Sequence, residues 1–370
     1  MKTIITDLGE YKPEYPIELL AAPADVLFMD IETTGLTPAN TNLYLIGCAY
    51  FENDEWHVIQ WFAEKYEEEL TLLTAFFDFV KKYKYLIHFN GNKFDIPYLQ
   101  YKCDQFSLEG NFDSFTGIDI YKRIASLKNI LGLPNMKQKT IEEFLGLNRE
   151  DKYTGRELIS IYHDYVCDHD DKYFNDLMLH NEDDIKGMFK VVSMLAYNDL
   201  FKQPVRVMKA QANYFNNMDK KRCQEIIMKL KLASPLPVPV SFRGNGCYFT
   251  GQGIDGQLKV PLYEEELKYF YSNYKNYYYL PAEDIAMHKS VATFVDKAHR
   301  VNANAANCYT RKKSLYLQQW DVEFEPFFKR DYKDKELFFE VTDEFKKDRE
   351  GFSKYASHTL NAMLRDSMTY

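Results

Sequence analysis

Asp30 and Glu32 stand two apart in the run FMDIETTGL, at the end of an apolar segment. On a strand, residues two apart project to the same side, so these two carboxylates share one edge. Neighbouring carboxylates repel, and each raises the other's pKa unless a cation lies between them. A D-x-E pair at a strand end therefore points to a metal site built from oxygen donors. The competing reading is a solvated loop start with capping acids, and the TTGL that follows weakens it. Asp95, in HFNGNKFDIPYL, occupies a second strand-to-helix junction. Alone it also reads as a helix cap, worth about 1 kcal/mol. Asn90 and Gly91 let the backbone turn tightly before it, and Asn90 offers a hydrogen bond to a carboxylate or a phosphate. In LHNEDDIKGMF, His180 and Asp184 stand four apart and so share a helical face. An imidazole titrates near working pH and suits general-base chemistry beside such a centre; the alternatives for His180 are a cap or a solvated side chain. Among Glu182, Asp183 and Asp184 the spacing selects Asp184, with Asp183 next in line.

These residues need elements to hold them. From Ala24 to about Asp199 short apolar, β-branched runs alternate with amphipathic stretches, the pattern of an α/β layer structure. VLFMD, LYLIGCAYF and WHVIQWF predict three strands in meander order. Residues 67–83 predict a helix with Leu70, Leu73, Phe76, Phe77 and Val80 on one stripe, crossing over to a strand at YLIHFN. A further helix follows from FDIPYL, a strand at 114–120, and a helical region from about Asp170 to Asn198 with a break near His180.

The chain has 370 residues, 46 % of them hydrophobic, enough for two domains with packed cores. A net charge of -9 argues against indiscriminate coating of nucleic acid, which relies on Lys and Arg neutralising phosphates. It is compatible with a metal-dependent enzyme, whose cations meet the phosphates instead. The six cysteines are scattered, with no zinc-type spacing. No apolar run approaches the about 20 residues of a membrane span, and MKTIITDLGEYKPEYP lacks a basic segment followed by an apolar one. A cytoplasmic protein without membrane contact is expected.

In order along the chain, DIETTGL, HFNGNKFD and HNEDDI resemble the three exonuclease motifs of the DEDD superfamily, whose fold is ribonuclease H-like. Within the matching region, IDIYKRIASLKNILGLPNMKQKTIEEFLG and GRELISIYHDY resemble the bacterial YprB-type branch of ribonuclease H-like proteins. The resemblance implies a mixed sheet, antiparallel meander plus parallel strands, flanked by helices over 24–200. Residues 1–23 would form an N-terminal extension, and 205–370 a C-terminal α+β domain of unknown role. It also implies that Asp30, Glu32, Asp95 and Asp184 are metal ligands for two Mg2+ or Mn2+ ions, and that His180 is the base. Family members usually carry a Tyr four residues before the last Asp or a His five before it; here a His stands at four. Thr33, Leu36 and Phe94 match positions that flank a terminal nucleotide, Phe94 having a plain core reading as well.

The function so implied is two-metal hydrolysis of phosphodiester bonds in single-stranded DNA or RNA with a free 3' end. A 3'-to-5' exonuclease would release nucleoside 5'-monophosphates. The alternatives are a structure-specific endonuclease on the same fold and a non-catalytic binding protein. The four acids argue against the latter, because unneeded buried acids cost stability. Lys137, Lys139 and Arg149 are candidates for backbone phosphates, or else a solvated helix face. Asp119, at a strand end, is a candidate for orienting the site. In the C-terminal part, Arg311, Lys312 and Lys313 between Tyr309 and Tyr316 mix basic and aromatic groups, though core packing of the tyrosines is the better reading. His288 and Glu283 form no recognisable ligand set. A protein partner for this part is a further expectation.

Overall fold

In the computed structural model, which describes residues 1–110, 112–147, 153–216, 220 and 222–369, the chain divides into two units, Met1–Asn198 and Asp199–Tyr370. Arg149 lies outside the described residues. The first unit runs β1 (Lys2–Asp7), β2 (Val26–Thr33), β3 (Leu43–Glu52), β4 (Glu55–Phe62), α1 (Glu69–Val80), β5 (Tyr85–His88), α2 (Asp95–Phe106), β6 (Thr116–Asp119), α3 (Ile120–Ile124), α4 (Gln138–Phe144), α5 (Gly155–Asp168) and α6 (Asp171–Val191). Helix α7 (Leu195–Lys202) carries the chain into the second unit.

Six strands form one sheet in the order β1-β4-β3-β2-β5-β6. The meander β2-β3-β4 is antiparallel, as its short connections require, whereas β5 and β6 join β2 in parallel after the crossover helices α1 and α2. This is the mixed α/β sheet with flanking helices that the sequence implied. Val26, Leu27, Phe28 and Met29 are all buried, because β2 is covered on both faces. Its carboxylates begin where the apolar run stops.

Three details depart from expectation. The segment 1–23 is more than an extension, since Lys2–Asp7 pairs along β4 as an edge strand. The apolar stripe of α1 runs through Leu72, Leu73, Phe76 and Val80, while Leu70 is 40 % exposed and Phe77 only partly buried. The stripe is anchored by the Leu72 to Phe76 spacing of four, and the period of 3.6 then turns Leu70 outward. Helix α6 passes through His180 without a break, its buried residues Phe174, Leu177, Met178, Asn181, Ile185 and Met188 holding it to the sheet.

The connection between β2 and β3 is fixed from beneath. Lys102 is 2 % exposed, lies 2.9 Å from Glu69 Oε1, and donates to the Thr41 carbonyl at 2.6 Å. Glu69 in turn accepts the Leu43 N–H at 2.7 Å. A buried ion pair whose remaining donors and acceptors are satisfied positions a loop even where its net stabilisation is small.

The second unit contains β7 (Arg206–Asn216), β8 (Arg222–Gly244), β9 (Cys247–Pro261), β10 (Tyr263–Phe270), β11 (Tyr277–Leu280), β12 (Ile285–His288), α8 (Lys289–Ala292), β13 (Val301–Asn302), β14 (Tyr309–Gln319), β15 (Phe327–Phe328), β16 (Leu337–Glu340) and α9 (Arg349–Ser367). They form sheets β7-β8-β9, β10-β14-β16-β15 and β12-β11-β13, an α+β unit. The Pro-rich stretch from Ser234 is part of β8. The ladder to β9 is irregular between Lys231 and Val240, where prolines cannot donate to it. Among the described residues no helix is long and apolar enough to cross a membrane.

Candidate metal centre and its supports

The end of β2, the start of α2 and the middle of α6 bring the sequence-predicted acids together. Asp30 and Glu32 project from β2. Asp95 is the first residue of α2, where Phe94 and not Asp95 occupies the cap position, so the capping alternative falls away. His180 Nε2 lies 3.2 Å from Asp184 Oδ2 and 3.6 Å from Glu32 Oε1. Glu32, His180 and Asp184 each offer a donor atom within 4.8 Å of the others, close enough for a shared cation.

The electrostatics register the crowding. Burial pushes the Asp30 carboxyl well above the usual range, and Asp184, Glu32 and Asp95 push it further, against a hydrogen bond from Asn181. Glu32 is raised to about 7, chiefly by burial, with His180 opposing and Asp184 and Asp95 reinforcing the rise. Asp95 is also raised to about 7 by burial, despite the N–H groups of Asp95 itself and Ile31, with Asp119 adding to the rise. Buried, crowded oxygen donors of this kind fit a hard divalent cation, which would favour the charged forms that burial, and then mutual repulsion, now disfavour.

A proton-linkage prediction follows. The folded pKa values of Glu32 and Asp95 exceed their unfolded ones, so their stabilisation is fully present below about pH 4 and is lost as pH rises through about 7. In EDTA, the contribution of this site to stability should therefore fall between about pH 5.5 and about pH 8, by on the order of 2 kcal/mol for each acid, and the melting temperature should fall with it. Mn2+ should raise the melting temperature more at the higher pH, because it competes with fewer protons. Scanning calorimetry at both pH values, with and without metal, checks this.

Residues without a motif hold the acids in place. Asn181 is fully buried on α6 and donates from Nδ2 to Asp30 Oδ2 at 2.9 Å. Its Oδ1 accepts from Gln60 Nε2 at 2.9 Å, and the same Gln60 nitrogen donates to the Met178 carbonyl at 2.9 Å. Asp30, Gly47 and Gln60 lie in register across β2, β3 and β4, so a bridge from Gln60 to Asp30 must pass over Gly47. A Cβ at Gly47 would stand 2.0 Å from Asn181 Oδ1 and 2.4 Å from Ile185 Cδ1, so only glycine admits α6 this close. The sequence signal was a lone glycine inside the apolar run LYLIGCAYF, which marks a close backbone approach. Asn181→Ala should weaken Mn2+ binding by about 10- to 100-fold, as loss of an orienting partner does; titration calorimetry reads it.

The loop before Asp95 has its own anchor. Asp119 accepts the N–H groups of Asn90 at 3.0 Å, Asn92 at 3.2 Å and Lys122 at 3.2 Å. Asn90 takes a left-handed turn at φ 63°, and its backbone, more than its side chain, is what the fold uses. Gly91 donates to His88 Nδ1 at 3.1 Å, which leaves the proton of this buried, neutral imidazole on Nε2. A Cβ at Gly91 would sit 2.6 Å from that Nδ1 and 3.2 Å from Asp95 Oδ2. Tyr44 stacks on Tyr162 with centroids 4.1 Å apart and places its buried hydroxyl beside Glu32, without a well-formed hydrogen bond to any described residue.

The remaining candidates scatter. Thr33 is buried and its hydroxyl donates to the Gly35 carbonyl at 2.8 Å, shaping the turn. Leu36 is 83 % exposed on that turn. Phe94 is partly buried against Tyr98, which supports its core reading. Lys137 and Lys139 are exposed at α4, whose Gln138 donates to the Asp184 carbonyl at 3.1 Å. In the second unit Tyr309 and Tyr316 are core residues, and Arg311 and Lys312 pair with Glu266 and Glu340.

The mixed sheet and its flanking helices are consistent with a ribonuclease H-like fold, and one family model matches this unit. Residues 27–196 match the family RNase_H_2 of the RNase_H superfamily, just under half of the chain. A curated relative, DNA polymerase 1 of Sulfurisphaera ohwakuensis, is 26 % identical over a match covering 26 % of this chain and 15 % of that protein. Among solved structures, the family B DNA polymerase of Pyrobaculum calidifontis matches with TM-score 0.37 and 15 % identity over 69 % of this chain and 35 % of its own. E. coli exonuclease I bound to a dT13 oligonucleotide matches with TM-score 0.32 and 11 % identity over 57 % and 55 %. Likenesses this distant leave the function to be argued from the site.

Proposed function

We propose that the first unit is a metal-dependent nuclease of the DEDD type, closest to the YprB-type branch, acting 3'-to-5' on single-stranded DNA or RNA. The observation that carries this reading is the convergence of Asp30, Glu32, Asp95 and Asp184, the last three each adding to the raised pKa of Asp30. A structural role would favour paired or separated acids, whereas a set this crowded is neutralised only by taking up protons or cations. Asp30, Glu32, Asp95 and Asp184 would hold the ions. Bound Mg2+ or Mn2+ would supply positive charge against the phosphodiester and acidify water there. His180, within reach of both Glu32 and Asp184, accepts the proton of the attacking water. Asn181 and Gln60 keep Asp30 aimed at the centre, and Asp119 keeps Asp95 there. Leu36, exposed on its braced turn, would meet a nucleotide.

The test is incubation of 3'- and 5'-end-labelled single-stranded DNA and RNA with Mn2+ or Mg2+. Stepwise release of mononucleotides from the 3' end supports the exonuclease. Internal fragments would shift the assignment to an endonuclease on the same centre, and no cleavage of any strand would end both. His180→Gln should lower the turnover number by about a hundredfold, while Mn2+ still binds. Native turnover in that variant would remove His180 from the reaction.

A further inference from the structure

The sheet β7-β8-β9 has one face covered and one face open. Ile226, Met228 and Leu230 are buried on the covered side, where α9 lies across β7 and β8. Ser353 of α9 accepts the Val207 N–H at 2.9 Å, and Asn245 donates to the Ala362 carbonyl at 2.9 Å. Strand alternation places Lys229 and Lys231 on the opposite side. Lys209 on β7 stands directly opposite Lys229, and Arg206 directly opposite Lys231.

Two like charges facing one another across adjacent strands destabilise a sheet. Lys231 is neutralised by Asp255 at 2.6 Å, and Lys259 has Glu225 at 3.9 Å. Lys209 and Lys229 are exposed, and neither has a carboxylate in ion-pair reach among the described residues. Folding alone gives no reason for this pair. Beside them, Met208 is the extra residue of a bulge between Val207 and Lys209, and it is 42 % exposed. Bulges re-aim side chains. Met208, Lys229, Lys231, Tyr248, Thr250 and Gln257 line a groove of about 860 Å³. The Arg243 guanidinium lies 5.2 Å from the centre of the Tyr248 ring, which leaves a flat cation and an aromatic ring at the groove.

We infer that this open face binds the backbone of a single-stranded nucleic acid, with Lys209 and Lys229 on phosphates and Tyr248 with Arg243 offering a stacking surface. Cations without a carboxylate partner among the described residues, opposed across a sheet in a chain of net charge -9, are complementary to a polyanion. Hydroxyl, amide and aromatic groups beside them are what a strand of bases and phosphates meets. The inference rests on the nuclease reading of the first unit and adds to it a place that grips substrate away from the acids.

The experiment is fluorescence anisotropy with labelled single-stranded DNA and RNA of about 20 nucleotides, in EDTA so that cleavage does not intervene. The whole chain is compared with Lys209→Ala/Lys229→Ala and Lys209→Glu/Lys229→Glu variants. The alanine pair should weaken binding by about tenfold or more near 0.1 M salt, and lower the slope of log affinity against log salt by about 1.4. The glutamate pair should weaken it further. The melting temperature of the alanine pair should not fall, since a repulsion has been removed. Unchanged affinity and salt slope in both variants would overturn the inference. So would tighter binding of polyglutamate or of phosphatidylserine vesicles, lost in the same variants. If strands bind through this face but are never cleaved with Mn2+, the nuclease reading fails and this one stands. If cleavage of long strands is identical in all three proteins, the reverse holds.

Discussion

Asp30→Asn is expected to abolish Mn2+-dependent cleavage, by at least about a thousandfold, on the order of 4 kcal/mol of transition-state stabilisation. The same change should make the metal-free protein more stable at about pH 8, by about 1–2 kcal/mol. The two effects share one cause. Asp30 is raised well above the carboxylate range by burial and by three neighbouring acids, so a neutral amide relieves the folded state. It still accepts the hydrogen bond from Asn181, so the site keeps its shape. An acid kept for packing would show the opposite pair of results, lower stability and unaltered cleavage. Thermal melting in EDTA beside an end-label assay measures both.

Gly47→Ala is expected to cost about 3 kcal/mol of stability and to remove tight Mn2+ binding, although Gly47 touches no metal. The added methyl would overlap Asn181 Oδ1 and Ile185 Cδ1, and relief requires α6 to lift from β3. Lifting α6 carries His180 and Asp184 away from Glu32 and breaks the path from Gln60 to Asp30. Denaturant unfolding with Mn2+ titration separates the two losses. A variant that loses stability yet binds Mn2+ with native affinity would show that α6 can shift without moving the acids.

The acids were legible in the sequence because each rests on a local rule. Asp30 and Glu32 obey the strand period of two, Asp95 opens a helix after a tight turn, and Asp184 follows His180 by one helical turn. The supports were not legible, because their logic is register. Gln60, Gly47 and Asp30 come together only once three strands pair, and Asn181 reaches them from a helix more than a hundred residues further on. A buried Gln in a strand and a Gly in an apolar run are the traces such a device leaves. The meander and the parallel strands were legible for the same reason as the acids, short connections and helix-length crossovers. Leu70 was misplaced because several helical stripes fit one amphipathic run and only packing chooses between them. In the second unit, β8 runs on through its prolines by way of an irregular ladder, which no local rule shows.

Crystals soaked in Mn2+ and measured at the manganese absorption edge test the central claim most directly. Two anomalous peaks bounded by Asp30, Glu32, Asp95 and Asp184 are the expected result, and both should vanish in Asp30→Asn crystals. Peaks elsewhere on the chain, or none between these carboxylates while the protein cleaves a labelled strand, would contradict it.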